Sequence, residues 1–194
     1  MGGTNEGVLV SLRVDGIING DRTYGLDMDQ AIRYAADNDI PILNMSLGRR
    51  NADQGNPANQ SAVQYYHDQA GGLIVNSAGN DMLEGPGNWI DVTDANMESW
   101  LFVVALSGNG RNYEKAGYSN GCGAAMERCV AAIGSNITID ANGDITGFGG
   151  TSSAAPQASA LAAMILSKWP QLTGVDAGHV RVQPHGLGGP RPEH

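Results

Sequence analysis

Three short runs rich in Val, Leu and Ile, separated by stretches of helical spacing, constrain this chain more than any other feature. "GVLVSLRV" (7–14) alternates and predicts a strand, and "IPILNMSLG" (40–48) predicts a short buried strand ending in Gly48. "LIVNSAGN" (73–80) predicts a third. A turn-rich connection, "DGIINGDRTYG", follows the first run. After it, "LDMDQAIRYAADND" carries Leu26, Gln30, Ile32, Ala35 and Ala36 at near-helical spacing. A polar loop then leads to a second helical segment, "SAVQYYHDQAGG", stopped by its glycines. Strands that alternate with helices in this way predict a parallel sheet covered by helices on both faces.

The second half extends the pattern. Residues 81–99 read as irregular loop, "SWLFVVALS" as a fourth strand, and 129–150 as short strands with a turn at Asn142-Gly143. "GFGGTSSAAPQASALAAMILSKW" then opens on glycines and hydroxyls and continues as an apolar helix from Thr151 to Trp169, with Pro156 expected near its first turn. Beyond Gly178 the Pro- and Gly-rich "HVRVQPHGLGGPRPEH" has no apolar period, so 179–194 reads as a disordered tail.

Length allows one domain with a substantial core, since 194 residues suffice for that. A net charge of −9 argues against nucleic acid or an anionic membrane surface as the main partner. No apolar run is long enough to span a bilayer, and "MGGTNEG" lacks the basic and apolar regions of a secretion signal. Cys122 and Cys129 are too few for a disulfide scaffold or a zinc site; their spacing leaves a small loop disulfide and two buried thiols equally open.

In an open parallel sheet, ligands bind outside the carboxyl ends of the strands. "NMSLG", "NSAGN" and "GGTSSAAP" should gather there, offering a hydroxyl at Ser152, a side-chain amide at Asn80 and backbone edges at Ser46 to Gly48. A hydroxyl near an amide donor suits acyl transfer, the first attacking a carbonyl and the second holding the oxyanion. The bland alternative makes Ser152 a helix cap and Asn80 a turn residue. An esterase of the α/β-hydrolase type needs Gly-x-Ser-x-Gly, a pattern that Ala154 breaks.

Those three segments, in this order, resemble the subtilisin-like serine proteases over roughly residues 5–178. "GTSSAAP" resembles the family's Gly-Thr-Ser-x-Ala-x-Pro motif, which implies that Ser152 is the nucleophile. "NSAGN" is similar to the oxyanion segment; it implies that role for Asn80 and a substrate-contacting role for Ser77, Ala78 and Gly79. "ILNMSLG" resembles the strand whose edge, Ser46-Leu47-Gly48, pairs with an extended peptide or protein substrate. The implied fold is a three-layer α/β domain with a mostly parallel sheet and helices on both faces.

"YSNGCGAAMERCVAAIGSN" further resembles the cysteine-bearing segment of bacterial autotransporter subtilisins, which implies a Cys122–Cys129 bridge and a location outside the cell or at the surface of a bacterium. The family also works through an aspartate on an early strand and a histidine in a His-Gly-Thr-His helix, and neither segment occurs in these 194 residues. The expectation is therefore a partial peptidase domain over 1–178, lacking the family's N-terminal part and nearly inert alone, or else a pseudoprotease module that binds peptide without cutting it. His67 sits in a helix without the family's histidine context and reads as a partly exposed helix residue. Ser153, Gln157, Ala160 and Ile133 depart from the family's usual residues. No cofactor is expected. Asp81, Asp91 and Asp94 suggest calcium, but their spacing matches no loop motif and they read as solvated loop carboxylates.

Overall fold

The computed structural model describes residues 7–18, 21–24, 27–48 and 55–179. Its centre is a sheet of four parallel strands in the order β3 (Ile42–Met45), β4 (Leu73–Ser77), β5 (Trp100–Gly108) and β7 (Cys129–Ile133). A short β6 (Tyr113–Lys115) folds back antiparallel on the end of β5. Two antiparallel hairpins stand outside this sheet. One joins β1 (Asp15–Ile18) to β2 (Asp21–Tyr24), and the other joins β8 (Ser135–Ile139) to β9 (Ile145–Gly149).

Every residue of β4 is buried, because helices cover both faces. Successive strand side chains point to opposite sides, and the two cores divide on that period. Ile74, Trp100 and Phe102 pack with Ile32, Ala35 and Ala36 of α1 (Met28–Asp37) and with Ala62, Val63 and Tyr66 of α2 (Pro57–Ala70). Leu73, Val75, Leu101, Val103 and Ala105 face the other way. They meet Ala154, Ala155, Ala162 and Ile165 of α3 (Thr151–Lys168) and Ala177 of α4 (Gly174–His179). The result is the three-layer α/β architecture expected from the strand–helix alternation.

Local chemistry sets the helix ends. Asn56 caps α2 by accepting the Ala58 amide at 3.0 Å, and Pro57 follows at a position where its missing amide hydrogen is harmless. The helix thus begins four residues before the apolar spacing suggests. Its other end closes on Gly71, whose φ of 53° suits a residue without Cβ. Thr173 and Asp176 form a reciprocal cap at α4: the Thr173 amide donates to the Asp176 carboxylate at 2.8 Å, and the Asp176 amide donates to the Thr173 hydroxyl at 3.1 Å.

Four sequence expectations need correction or delimiting. Residues 7–14 form no strand, and Val8 and Leu9 are exposed. Alternation supplies propensity, but a strand needs a ladder, and this run forms none with the described residues, although Leu12 packs against the core. The first ladder forms instead in the segment read as a connection. Pro156 is the sixth residue of α3, one turn deeper than expected. His179, assigned to the tail by composition, ends α4, while residues 180–194 and Leu26 lie outside the described residues.

Candidate active site

The carboxyl ends of β3 and β4 meet the N-terminus of α3. Backbone pairing of β3 with β4 stops at Met45–Asn76, and the Asn76 side chain takes over from there. Fully buried, its amide donates to the carbonyl oxygens of Met45 at 2.7 Å and Leu47 at 2.9 Å. Asn88 adds a donor to the Leu47 carbonyl at 3.3 Å. These bonds carry Ser46 and Leu47 past the end of the ladder as a fixed strip, with Gly48 exposed at its end.

Ser152 is the second residue of α3 and is half-buried. Its hydroxyl caps no helix amide. It reaches across to donate to the Ser46 carbonyl at 3.2 Å, while the Ser46 hydroxyl donates back to the Ser152 carbonyl at 3.0 Å. The capping role is therefore absent, and the hydroxyl faces the strip formed by Ser46, Leu47 and Gly48.

Asn80 lies on the loop that leaves β4 after Ser77, Ala78 and Gly79. Its Oδ1 accepts from the Thr151 amide at 2.9 Å and from the Thr151 hydroxyl at 3.0 Å. The buried Thr151 hydroxyl accepts in turn from the Gly79 amide at 3.2 Å. With Oδ1 committed to the residue next to Ser152, Nδ2 of this exposed residue has no hydrogen-bond partner among the described residues. Gly150, at φ 94°, holds the tight entry to the helix; a Cβ there would lie 3.1 Å from Asn80 Nδ2. Ser152 and Asn80 thus converge at one rim of the sheet, beside a helix N-terminus that favours negative charge.

The subtilase family model matches residues 2–184. The chain belongs to the subtilase family. Subtilisin DY of Bacillus licheniformis is 31% identical over 169 residues, covering 84% of this chain and 57% of its own length. Among solved structures, sphericase superposes with a TM-score of 0.63 at 29% identity, over 78% of this chain and 52% of its own. The prenylagaramide maturation protease PagA does so at 0.67 and 25% identity, over 81% and 57%. The subtilase chain therefore spans about half the length of these relatives, and its α/β layering is theirs.

Other sequence candidates separate from this rim. His67 of α2 is half-buried and exchanges a 3.1 Å hydrogen bond with the Ser99 hydroxyl. The ring of His179 bonds the Val175 carbonyl at 2.8 Å. Asp91 is buried, not solvated as expected, because its carboxylate accepts the Asn56 amide at 2.7 Å. Among the described residues, no three His, Cys, Asp or Glu side chains cluster in a metal-binding arrangement. Cys122 and Cys129 are joined by a disulfide that brackets a short 3-10 helix.

Two of the residues unusual for the motif make local hydrogen bonds, while nothing in the structure explains Ala160 or the Ile133 side chain. The buried Ser153 hydroxyl accepts from the Asn136 amide at 2.7 Å, and Gln157 donates to the Ile133 carbonyl at 2.7 Å. Sequence reasoning missed Thr151 and Asn76 as positioning residues. Both lie inside the quoted segments, Thr151 in "GTSSAAP" and Asn76 at the head of "NSAGN", which mark them as near the site but not the bonds they make.

Proposed function

We propose that this subtilase chain carries the nucleophile and oxyanion half of a serine endopeptidase site. Ser152 Oγ attacks the scissile carbonyl, and the Asn80 Nδ2 donor with the Ser152 amide receives the oxyanion. Extended peptide lies along Ser46, Leu47 and Gly48, with Ser77, Ala78 and Gly79 lining the opposite side. Collapse of the tetrahedral adduct releases the amine, protonated by the base that took the Ser152 Oγ proton, and leaves an acyl ester on Ser152 that water hydrolyses to free acid and the restored hydroxyl. The observation that carries this reading is the Thr151 bridge, which fixes an amide donor beside a hydroxyl that caps nothing.

A backbone carbonyl does not take the serine proton, so attack requires a separate base. Among the described residues, His67 and His179 are bonded elsewhere, and no segment of the 194 residues resembles the family's histidine helix, so the chain alone is expected to be nearly inert. The disulfide supports a working place in an oxidising compartment, outside a bacterial cell or at its surface, as in autotransporter subtilisins.

The test is chemical rescue. A fluorophosphonate probe should label the chain very slowly in buffer and faster when imidazole is added as an external base, and Ser152→Ala should abolish both. Equal labelling of the mutant would refute the nucleophile assignment. Rapid labelling without imidazole, lost in the mutant, would refute the inertness.

A further inference from the structure

We infer that Asn120 is the positioning residue for the oxyanion amide of Asn80, an inference that rests on the proposed role of Asn80 itself. Asn120 sits on the connection between β6 and β7, 40 positions along the chain from Asn80, and is fully buried. Its backbone N–H and both polar atoms of its side chain are spent on the loop that carries Asn80. Its amide donates to the Gly79 carbonyl at 2.9 Å. Its side-chain Nδ2 donates to the Ala78 carbonyl at 2.9 Å, and Oδ1 accepts from the amides of Asp81 at 2.9 Å and Leu83 at 3.0 Å.

Those four bonds reach residues 78, 79, 81 and 83 and bracket position 80 on both sides. Position 80 itself is left out, so its side chain stays available for the Thr151 bridge and for an oxyanion. A lone exposed loop would sample many conformations, and an oxyanion donor displaced by an ångström loses most of its effect. Asparagine suits the role because one planar amide both accepts from two donors and donates to a carbonyl. Gly79, at φ 112°, is required at the same point, since any Cβ there would overlap the Asn120 amide.

Asn120 is anchored in its turn to the sheet. The Ala116 amide donates to the Ala105 carbonyl at 2.8 Å. The Ser119 hydroxyl accepts the Ala105 amide at 3.0 Å and donates to the Asn120 carbonyl at 2.8 Å. Rigid β5 thus holds Asn120, Asn120 holds the loop, and the loop presents Asn80. Such a residue touches no substrate and acts only through the donor it places.

A double-mutant cycle tests this, using imidazole-assisted hydrolysis of an acyl-dipeptide p-nitrophenyl ester by the full chain. Asn80→Ala should lower kcat by about 10²-fold or more, the range measured when the oxyanion amide of subtilisin itself is removed. Asn120→Ala should lower kcat by a comparable factor with KM within about twofold, and the double variant should fall no further than Asn80→Ala, because both remove one function. If Asn120→Ala does not fold, Asn120→Ser takes its place with the same criteria; its hydroxyl is too short to span both amides.

A full kcat in the Asn120 variant beside a damaged Asn80→Ala overturns the inference alone. So do multiplying losses in the double variant, which would mean independent roles. An unchanged rate in Asn80→Ala overturns the oxyanion reading, and this inference with it.

Discussion

Replacing Thr151 by valine removes one hydroxyl from a buried site while conserving shape, so the loss can be worked from named bonds. The hydroxyl accepts from the Gly79 amide at 3.2 Å and donates to Asn80 Oδ1 at 3.0 Å. In the variant the Gly79 amide faces a methyl group with no replacement acceptor beside it, which costs about 1–3 kcal/mol. The lost donor to Asn80 adds less, because Asn80 is exposed and keeps the Thr151 amide bond at 2.9 Å. A total of about 2–3 kcal/mol follows, or roughly 4–12 °C in Tm for a domain of this size. Urea unfolding followed by tryptophan fluorescence, with calorimetry alongside, measures it. Thr151→Ser is the control, since it keeps the hydroxyl and loses one methyl, for about 1 kcal/mol. If valine matches the parent within about 0.5 kcal/mol, or serine is as damaging as valine, the bridge contributes nothing and the account of how Asn80 is oriented is wrong.

Two further outcomes bear on the core and the loop. Tyr66 is fully buried with its hydroxyl donating to the Ile40 carbonyl at 2.8 Å, and burial pushes its phenol far above the ordinary value of 10. The unfolded chain therefore loses this proton first. The stability contribution is complete below pH 10 and falls by about 1.4 kcal/mol per pH unit above it. Tyr66→Phe should remove that component of the alkaline slope in urea titrations, and identical slopes would contradict it. The Cys122–Cys129 bridge closes a loop of sequence separation 7, for which chain entropy predicts roughly 2–3 kcal/mol. Reductant should lower the Tm of the parent and leave that of a Cys122→Ser, Cys129→Ser variant unmoved; a parent insensitive to full reduction would refute the estimate.

What the sequence disclosed, and what it hid, follows the range of the interactions involved. The strands at 42–45, 73–77 and 100–108 were legible because both faces of a covered parallel sheet are apolar, and that leaves a continuous run. The convergence of Ser46, Asn80 and Ser152 was legible because strand ends in such a sheet share one rim. The run at 7–14 misled because a period of two reports propensity, while a ladder depends on which segment lies alongside. Asn120, Asn76 and Thr151 act through bonds to residues at least 29 positions away. No local spacing encodes such a bond, and an asparagine in a glycine-rich loop looks like any turn residue.

The deepest coupling between helix and strand comes from Pro156, a residue that looks like a defect. Inside a helix, proline lacks the amide that would bond the carbonyl four residues earlier, at a cost of about 3 kcal/mol. That carbonyl belongs to Ser152. It is not left bare, because the Ser46 hydroxyl donates to it at 3.0 Å, itself oriented by the Asn44 amide at 2.9 Å. Asn44 Oδ1 accepts from Ser159 on the same helix at 3.0 Å. The proline thus turns an internal helix bond into one between α3 and the strip that continues β3, so that the segment that would carry peptide is hydrogen-bonded to the residue that would attack it. With an ordinary residue at 156, the Ser152 carbonyl would have its own helical partner, and the register between hydroxyl and strip would depend on a single bond from Ser152 Oγ. A lost helix bond and alignment at the site are two consequences of one missing amide hydrogen.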